Sequence, residues 1–185
     1  MPTPKRLVLH ICCGPCAIVP LRRLTEQGVE VTGLFYNPNI QPLQEYLRRR
    51  EGALEVAERF GIRLICKDAD YDPQSFLRRM AFREAQRCFL CYQLRLERTA
   101  AIARKGRFDA FSSTLLYSKR QKHAAIAQTG HETAGDGACR FWYADYRTGW
   151  QEGIQTSQAW GIYRQAYCGC IYSEFERFQD DLPAS

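Results

Sequence analysis

The stretch Leu7–Cys16, LVLHICCGPC, combines a short apolar run with three cysteines at a Gly-Pro turn. The apolar run is typical of a buried strand, and Gly14 with Pro15 ends it. In α/β folds, the loops at the carboxyl ends of parallel strands face an open crevice where ligands bind. One buried cysteine behaves as a small apolar side chain, whereas three on one turn favour a metal, a cluster or a disulfide. The stretch therefore predicts a parallel sheet with a thiol-based site at its edge.

Strand-like and helix-like segments alternate along the chain, which predicts βαβ units and a parallel sheet. The predicted strands are Leu7–Cys12, Val29–Tyr36, Ile62–Lys67, Phe108–Leu116 and Phe141–Ala144. The predicted helices are Cys16–Gln27, Leu43–Phe60, Gln74–Ala85, Cys88–Lys105, Ser118–Thr129 and Gln151–Trp160, followed by an irregular segment over Ile162–Tyr172. We expect one α/β domain over residues 1–185, with a Rossmann-like parallel sheet, helices on both faces and a frayed tail over residues 180–185.

The composition is that of an ordinary globular domain, with 45% hydrophobic and 25% charged residues. No run approaches the roughly 20 apolar residues of a membrane span. Lys5 and Arg6 precede an apolar run that is too short for a secretory signal and contains His10. We therefore expect a cytoplasmic protein with no membrane association. In that compartment, nine cysteines favour metal ligation or redox chemistry over a disulfide framework.

Two of the three cysteine groups are suited to binding a metal. Cys88 and Cys91 are three residues apart at the start of a predicted helix, so they share a face near its positive end, which stabilises thiolates. If this helix start lies over the Cys12–Cys13 turn, four thiolates converge and can hold a [4Fe–4S] cluster or Zn²⁺. Adjacent cysteines suit a structural zinc site less well than two C-x-x-C pairs, so the spacing favours the cluster. For Cys16, metal binding, a second site and simple packing all stay open.

The third group, Cys168-Gly169-Cys170, predicts a redox-active dithiol. The intervening glycine permits a tight loop, and two neighbouring thiols can carry two electrons as a disulfide. The alternative is that both thiols simply pack in the core. Packing is also the expectation for Cys66, on a predicted strand, and for Cys139, in a turn.

The net charge of +6 attracts polyanions, and the basic residues are clustered. Each cluster taken alone also fits an ordinary solvated helix face. Together with aromatic residues, the clusters predict a surface for phosphate binding and base stacking on looped or single-stranded RNA. The residues concerned are Arg48-Arg49-Arg50, Arg78-Arg79, Lys119-Arg120 and Lys122, with Tyr36, Tyr46, Tyr117, Trp142 and Tyr143. We expect His10 to be a hydrogen-bonded core histidine.

Several motifs follow one another over nearly the whole chain. They are HICCGPCA at 10–17, YNPNIQP at 36–42 with EYLRR at 45–49, RCFLCYQLRLERTA at 87–100, STLLYSKRQ at 113–121 and YRQAYCGCIYS at 163–173. Together they resemble the epoxyqueuosine reductases of the QueH type, the cobalamin-independent enzymes of queuosine tRNA modification. The double cysteine combined with the C-G-C element makes the resemblance specific.

The resemblance implies a fold similar to the adenine-nucleotide α-hydrolase group. It implies reductive removal of the epoxide oxygen from epoxyqueuosine at the wobble position of tRNA, with a separate electron donor. It also implies that Cys12, Cys13, Cys88 and Cys91 carry a [4Fe–4S] cluster and that Cys168 and Cys170 form a redox-active disulfide. A second iron near the cluster, held by cysteine and aspartate, is implied as well.

Two other functions are compatible with parts of the sequence. A cluster-dependent tRNA thiolase of related fold would need a phosphate-binding Gly/Ser loop after the first strand, where this chain has Cys-Cys-Gly-Pro-Cys. A zinc-stabilised RNA-binding module explains the charge and four cysteines but leaves Cys16 and the C-G-C pair without a role. For a reductase, we expect iron to polarise the epoxide C–O bond and Asp68, Asp70 or a tyrosine to protonate the leaving oxygen.

Overall fold

The computed structural model describes residues 2–183, which form a five-stranded sheet with parallel pairing throughout. The strands are β1 (Arg6–His10), β2 (Glu30–Phe35), β3 (Arg63–Cys66), β4 (Ala110–Ser113) and β5 (Arg140–Phe141). Their order across the sheet is β3-β2-β1-β4-β5. This arrangement confirms the predicted Rossmann-like parallel sheet.

Helices cover both faces of the sheet. They are α1 (Gly14–Glu26), α2 (Leu43–Arg59), α3 (Pro73–Met80), α4 (Arg87–Lys105), α5 (His123–Ala134), α6 (Trp150–Ala159) and α7 (Ile171–Phe178). Helix α1 packs against α2 and α6, while α4 packs against α5. Among residues 2–183, no helix combines the length and the apolar content that a bilayer crossing requires.

Strand β1 supplies apolar side chains to both faces because successive side chains of a strand point in opposite directions. Leu7 and Leu9 are fully buried in the core that includes Ile18 of α1. Val8 is fully buried in the other core, together with Leu96 of α4. Full burial of such a side chain contributes about 1.5–3 kcal/mol to stability. Burial on both faces therefore makes β1 the centre of the sheet.

From β1 the chain continues to β2 and β3 on one side of the sheet, and it then returns to form β4 and β5 on the other side of β1. Strands β1 and β4 therefore pair although they are not consecutive. Parallel α/β sheets bind ligands in the crevice at such a switch point. Here the carboxyl end of β1 leads to Cys12, whose backbone N–H donates to Thr114 Oγ1 at 3.1 Å. Thr114 follows the carboxyl end of β4, so the cysteine turn lies in this crevice.

His10 is the buried core histidine that the sequence predicted. Its Nδ1 lies 2.9 Å from Ser113 Oγ, and its Nε2 lies 3.2 Å from the Tyr36 carbonyl oxygen and from Asn37 Oδ1. Burial lowers the pKa of His10 to about 4, so its ring is neutral at pH 7. These contacts tie the ends of β1, β2 and β4 together beneath the site.

Several predicted elements differ from the structure. Helix α3 ends at Met80 instead of Ala85, and β5 covers Arg140–Phe141 instead of Phe141–Ala144. Strand β4 ends at Ser113, because the Ser113 hydroxyl accepts from the Leu115 N–H and starts a 3₁₀ turn over Thr114–Tyr117. Helix α5 begins at His123 instead of Ser118. The segment predicted as irregular up to Tyr172 gives way at Ile171 to α7. In the predicted frayed tail, Gln179–Asp181 form a 3₁₀ turn, and residues 184–185 lie outside the described residues.

Candidate active site

Three thiols form a compact group at the carboxyl end of β1. The sulfur atoms of Cys12, Cys13 and Cys16 all lie within 4.8 Å of one another. The turn produces this proximity, since Cys13 directly precedes α1 and Cys16 lies in its first turn. Within residues 2–183, this is the one group of three potential metal ligands that comes so close. Cys16, whose role the sequence left open between metal binding, a second site and packing, therefore belongs to this thiol group.

Hydrogen bonds give the three thiols different acidities. Hydrogen bonds with Cys13 and Cys16 hold the pKa of Cys12 well below the ordinary thiol value. Burial raises the pKa of Cys13, and the hydrogen bond that Cys16 gives to Cys12 raises the pKa of Cys16. Thr114 Oγ1 also donates to Cys12 Sγ at 3.3 Å. Cys12 is thus the most acidic of the three thiols, and binding of a metal by all three must release protons.

A second group of thiols lines a small neighbouring cavity. Cys88 and Cys91 lie within the first five residues of α4, at the helix start as predicted, and face this cavity together with Cys168 and Cys170. Burial raises the pKa of Cys91 to about 12. The structure thus places the C-G-C pair beside the C-x-x-C pair, a proximity that the sequence did not indicate. Convergence of Cys88 and Cys91 with Cys12 and Cys13 on one cluster stays a prediction.

Arg95 connects the two thiol groups. Its side chain lines the small cavity and also the larger cleft that contains Cys12. The residue is 2% exposed, and its Nε donates to the Cys91 carbonyl oxygen at 3.0 Å. Its Nη2 is buried without a hydrogen-bond partner among the described residues, and no carboxylate there pairs with the guanidinium. A buried charge without a counter-ion costs several kcal/mol, so this position is suited to an added anion.

The residues around Arg95 fit an anionic metal–thiolate group. The potential metal ligands that line the cleft and the small cavity are all cysteine thiols, which bind iron–sulfur clusters and zinc. A cluster of several irons also separates its thiolate ligands by more than a single ion does, and Arg95 interacts electrostatically with both Cys12 and Cys91. The chemistry of the donors and the unpaired Nη2 therefore point in the same direction.

A buried ion pair on α2 holds the C-G-C loop in place. Arg49 is 2% exposed, and its Nε donates to Glu45 Oε1 at 2.6 Å. Its Nη1 donates to the Cys168 carbonyl oxygen at 2.7 Å and its Nη2 to that of Tyr167 at 3.1 Å. The hydroxyl of Tyr163 donates to the second Glu45 oxygen at 2.5 Å. One ion pair thus anchors three points of the segment that follows α6.

The same segment covers the thiol group of β1. Gln165 Nε2 donates to Cys13 Sγ at 2.9 Å. The backbone N–H of Gln41 donates to the Gly169 carbonyl oxygen at 2.8 Å. The Tyr167 hydroxyl donates to the backbone carbonyl oxygen of Gln41 at 2.5 Å. Gly169 has φ +141°, and a Cβ there would meet Arg49 Nη1 at 3.2 Å, so this position requires glycine.

A cleft of about 390 Å³ opens beside the thiols. Its wall includes Cys12, Cys16 and Cys168, and the rings of Tyr117 and Trp150 stack there with centroids 5.2 Å apart. Arginines are the charged side chains that line it, and no aspartate or glutamate of the described part of the chain does so. The lining arginines are Arg49, Arg95, Arg120, Arg164 and Arg177.

Some of the arginines predicted to bind RNA and the aspartates predicted to donate a proton have other contacts in the structure. The prediction of an RNA-binding role is wrong for Arg49, which is buried. Arg50 pairs with Asp68, which also accepts from the Tyr46 hydroxyl at 2.7 Å. Asp70 pairs with Arg98. Neither aspartate lines the cleft, so Tyr117 and Tyr167 are the candidate acids that do.

An all-parallel α/β sheet with thiols gathered at its switch point defines a thiol-rich protein suited to metal binding and redox chemistry. A family model described as epoxyqueuosine reductase QueH matches residues 7–176. Relatives named epoxyqueuosine reductase QueH include one from Dehalococcoides mccartyi, 35% identical over 94% of both chains. Another, from Haemophilus influenzae, is 38% identical over 91% of this chain and 71% of the relative. The Thermotoga maritima relative is 34% identical over 92% of this chain and 91% of its own length. The chain belongs to the QueH family of epoxyqueuosine reductases.

Replacing Arg49 with methionine is expected to loosen the segment over the thiols. Arg49→Met leaves the buried Glu45 carboxylate without its partner, which costs about 3–5 kcal/mol of unfolding free energy. Arg50→Met is the matched control on the same helix, because its pair with Asp68 is half exposed and contributes at most about 1 kcal/mol. Urea unfolding measures the stability, and hydrogen exchange over residues 163–173 measures the loosening. Equal effects of the two substitutions would contradict the anchoring role of Arg49.

Proposed function

We propose that this chain is an epoxyqueuosine reductase, which converts epoxyqueuosine at the wobble position of tRNA to queuosine. The arrangement of two thiol groups around the unpaired Arg95, in a member of this family, is the observation that carries the proposal. Loss of the epoxide oxygen as water consumes two electrons and two protons. The enzyme therefore needs an electron path, a proton donor and a pocket for the modified nucleoside. We assign these roles to thiols, phenols and aromatic rings in and beside the cleft.

In this proposal, Cys12, Cys13, Cys88 and Cys91 hold a [4Fe–4S] cluster. The support is the all-thiol ligand set, the buried cation of Arg95 and the position of Cys88 and Cys91 at the start of α4. When bound, the cluster supplies single electrons and a Lewis-acidic iron. Cys16 is then the additional thiol available to a second iron, and no carboxylate of the described residues joins this group.

Cys168 and Cys170 have different parts in the proposed redox step. Cys168 is exposed and lines the cleft, where Gln121 Nε2 donates to its sulfur at 3.1 Å. Cys170 is half-buried and lines the small cavity beside Cys88 and Cys91. After the pair has given up two electrons as a disulfide, a thiolate of a dithiol donor attacks the Cys168 sulfur and releases Cys170 as a thiolate. The donor's second thiol then completes its own disulfide and releases Cys168.

Two phenols of the cleft are proposed as the proton source. The Tyr117 hydroxyl donates to the Trp150 carbonyl oxygen at 3.0 Å, and Tyr167 donates to Gln41. Burial raises the pKa of Tyr117, and it raises that of Tyr167 to about 12. Both phenols therefore keep their protons at neutral pH. The half-buried ring of Trp150, which stacks on Tyr117, also provides a flat wall suited to a nucleobase.

Metal analysis with a tRNA assay tests the proposal first. Protein purified without oxygen is expected to be brown, with about four irons and four sulfides per chain, and to reduce tRNA that contains epoxyqueuosine. Cys88→Ser is expected to lose the iron, since it removes a cluster ligand, while Cys139→Ser, in the core away from the cleft, is expected to keep it. A colourless protein with one zinc per chain and no reductase activity would contradict the proposal and favour an RNA-binding module.

Removal of the Arg95 charge is expected to lower the reduction potential of the bound iron–sulfur group. Reduction adds negative charge, and the nearby guanidinium stabilises it, so Arg95→Met should shift the potential by about −60 mV, a tenfold change in a one-electron equilibrium. Arg95→Lys, which keeps the charge, should stay closer to the wild type. A spectroscopic redox titration measures the shift. An unchanged potential in Arg95→Met would contradict this electrostatic role.

The asymmetry of the dithiol predicts which variant traps a mixed disulfide. With an aromatic disulfide reagent, Cys170→Ser should accumulate an adduct on Cys168, because the thiol that would resolve it is missing. Cys168→Ser should react more slowly at Cys170, which is half-buried. Peptide mass spectrometry locates the adduct, and Cys66→Ser serves as control. Equal labelling at positions 168 and 170 in the two variants would show that the thiols are interchangeable.

A further inference from the structure

We propose that Arg120, Arg164 and Arg177 bind backbone phosphates of the RNA on either side of the nucleoside that enters the cleft. The inference rests on the proposed function, because it assigns the contacts of the same substrate. We call these three arginines the cationic rim. The sequence did not indicate them as a unit. The sequence drew attention to Arg120 alone among them.

The rim consists of unpaired cations. All three side chains are exposed and line the cleft. None forms an ion pair within the described part of the chain. Other arginines do pair, since Arg22 contacts Glu152 and Arg87 contacts Glu176. The rim thus keeps its charge available to an external anion, and the absence of described carboxylates from the cleft leaves that charge undiminished.

The three arginines come from different parts of the fold. Arg120 lies in the turn before α5, Arg164 in the segment after α6, and Arg177 on α7. All three nevertheless border one cleft. Positive charges distributed along an opening suit a chain of phosphates better than one compact anion, because each phosphate of a strand can meet its own arginine.

Part of the wall of the same cleft is aromatic. Tyr117 is 3% exposed and stacks on the half-buried ring of Trp150 at an interplanar angle of 29°. A cationic groove that leads to aromatic rings is the arrangement by which proteins bind unpaired nucleotides. The rim therefore holds the backbone while the base passes inward towards Cys12 and Cys168, which line the same cleft.

Salt-dependent binding of a labelled anticodon stem-loop RNA without the modified base tests this inference on the metal-loaded protein. Each substitution to glutamine in the rim should weaken binding about 3- to 10-fold at low salt. Each should also reduce the slope of log K against log salt by about 0.7–0.9, the value for one phosphate contact. The variant carrying Arg120→Gln, Arg164→Gln and Arg177→Gln should combine the three losses. Arg63→Gln is the control, since Arg63 is exposed at the opposite, amino-terminal end of β3.

The outcomes separate the inference from the proposed function. A triple variant with the wild-type slope, in a protein that reduces epoxyqueuosine in tRNA, would overturn the role of the rim and leave the reductase standing. Reduced slopes in a protein without reductase activity would support the rim and count against the proposed chemistry. Competition by polyglutamate as strong as that by RNA of equal charge would also overturn the inference, because it would indicate a site for acidic proteins. Unchanged iron content and circular dichroism verify that the variants are folded.

Discussion

Parallel pairing of β1 with β4 leaves the carboxyl end of β1 open to a crevice, because the chain leaves the two strands in opposite directions across the sheet. The cysteine turn fills that crevice and is held to the end of β4 through Thr114. Every other part of the site is arranged around this turn. Helix α4 brings the second pair of thiols and Arg95, and the segment after α6 closes over the top with Gln165. The site is thus built from parts of the chain that meet at one edge of one sheet.

Much of this architecture could be predicted from local patterns. Alternating strands and helices predicted the parallel sheet, and the apolar run before Cys12 placed the first thiols at a strand end. Spacing and helix position predicted that Cys88 and Cys91 share a face of α4, and the structure has them there. These features depend on residues close together in the sequence, where periodicity and turn chemistry carry the information.

The features that the sequence did not reveal depend on distant partners. Arg49 stands in a run of basic residues typical of a solvated helix face, yet it is buried because its acceptors Cys168 and Tyr167 lie more than a hundred residues away. Arg95 also looks like an ordinary helical arginine until the thiols around it are known. The proximity of Cys168 to Cys91 is of the same kind. Local propensity gives no signal for such contacts, since tertiary packing decides them.

The chain uses arginine for two physical purposes at one site. Arg49 and Arg95 are 2% exposed and act within the protein, where a charge is strong because water is excluded. Arg120, Arg164 and Arg177 stay in water, where a charge attracts a partner over a distance that depends on salt. A cleft lined in this way carries positive charge both on its exposed side chains and beside its buried thiols.

Gln165 and Cys13, whose sulfur it contacts, are 152 residues apart in the sequence. This separation has a consequence for how the protein folds during its synthesis. Synthesis on the ribosome proceeds from the amino terminus, so the thiols of β1 emerge well before the segment that covers them. Until residues 163–170 have left the ribosome, no part of that segment can lie over Cys12, Cys13 and Cys16. During this interval the three thiols are open to an incoming metal ion, and docking of the segment through Arg49 then covers them. The order of residues along the chain thereby makes these thiols accessible before they are covered.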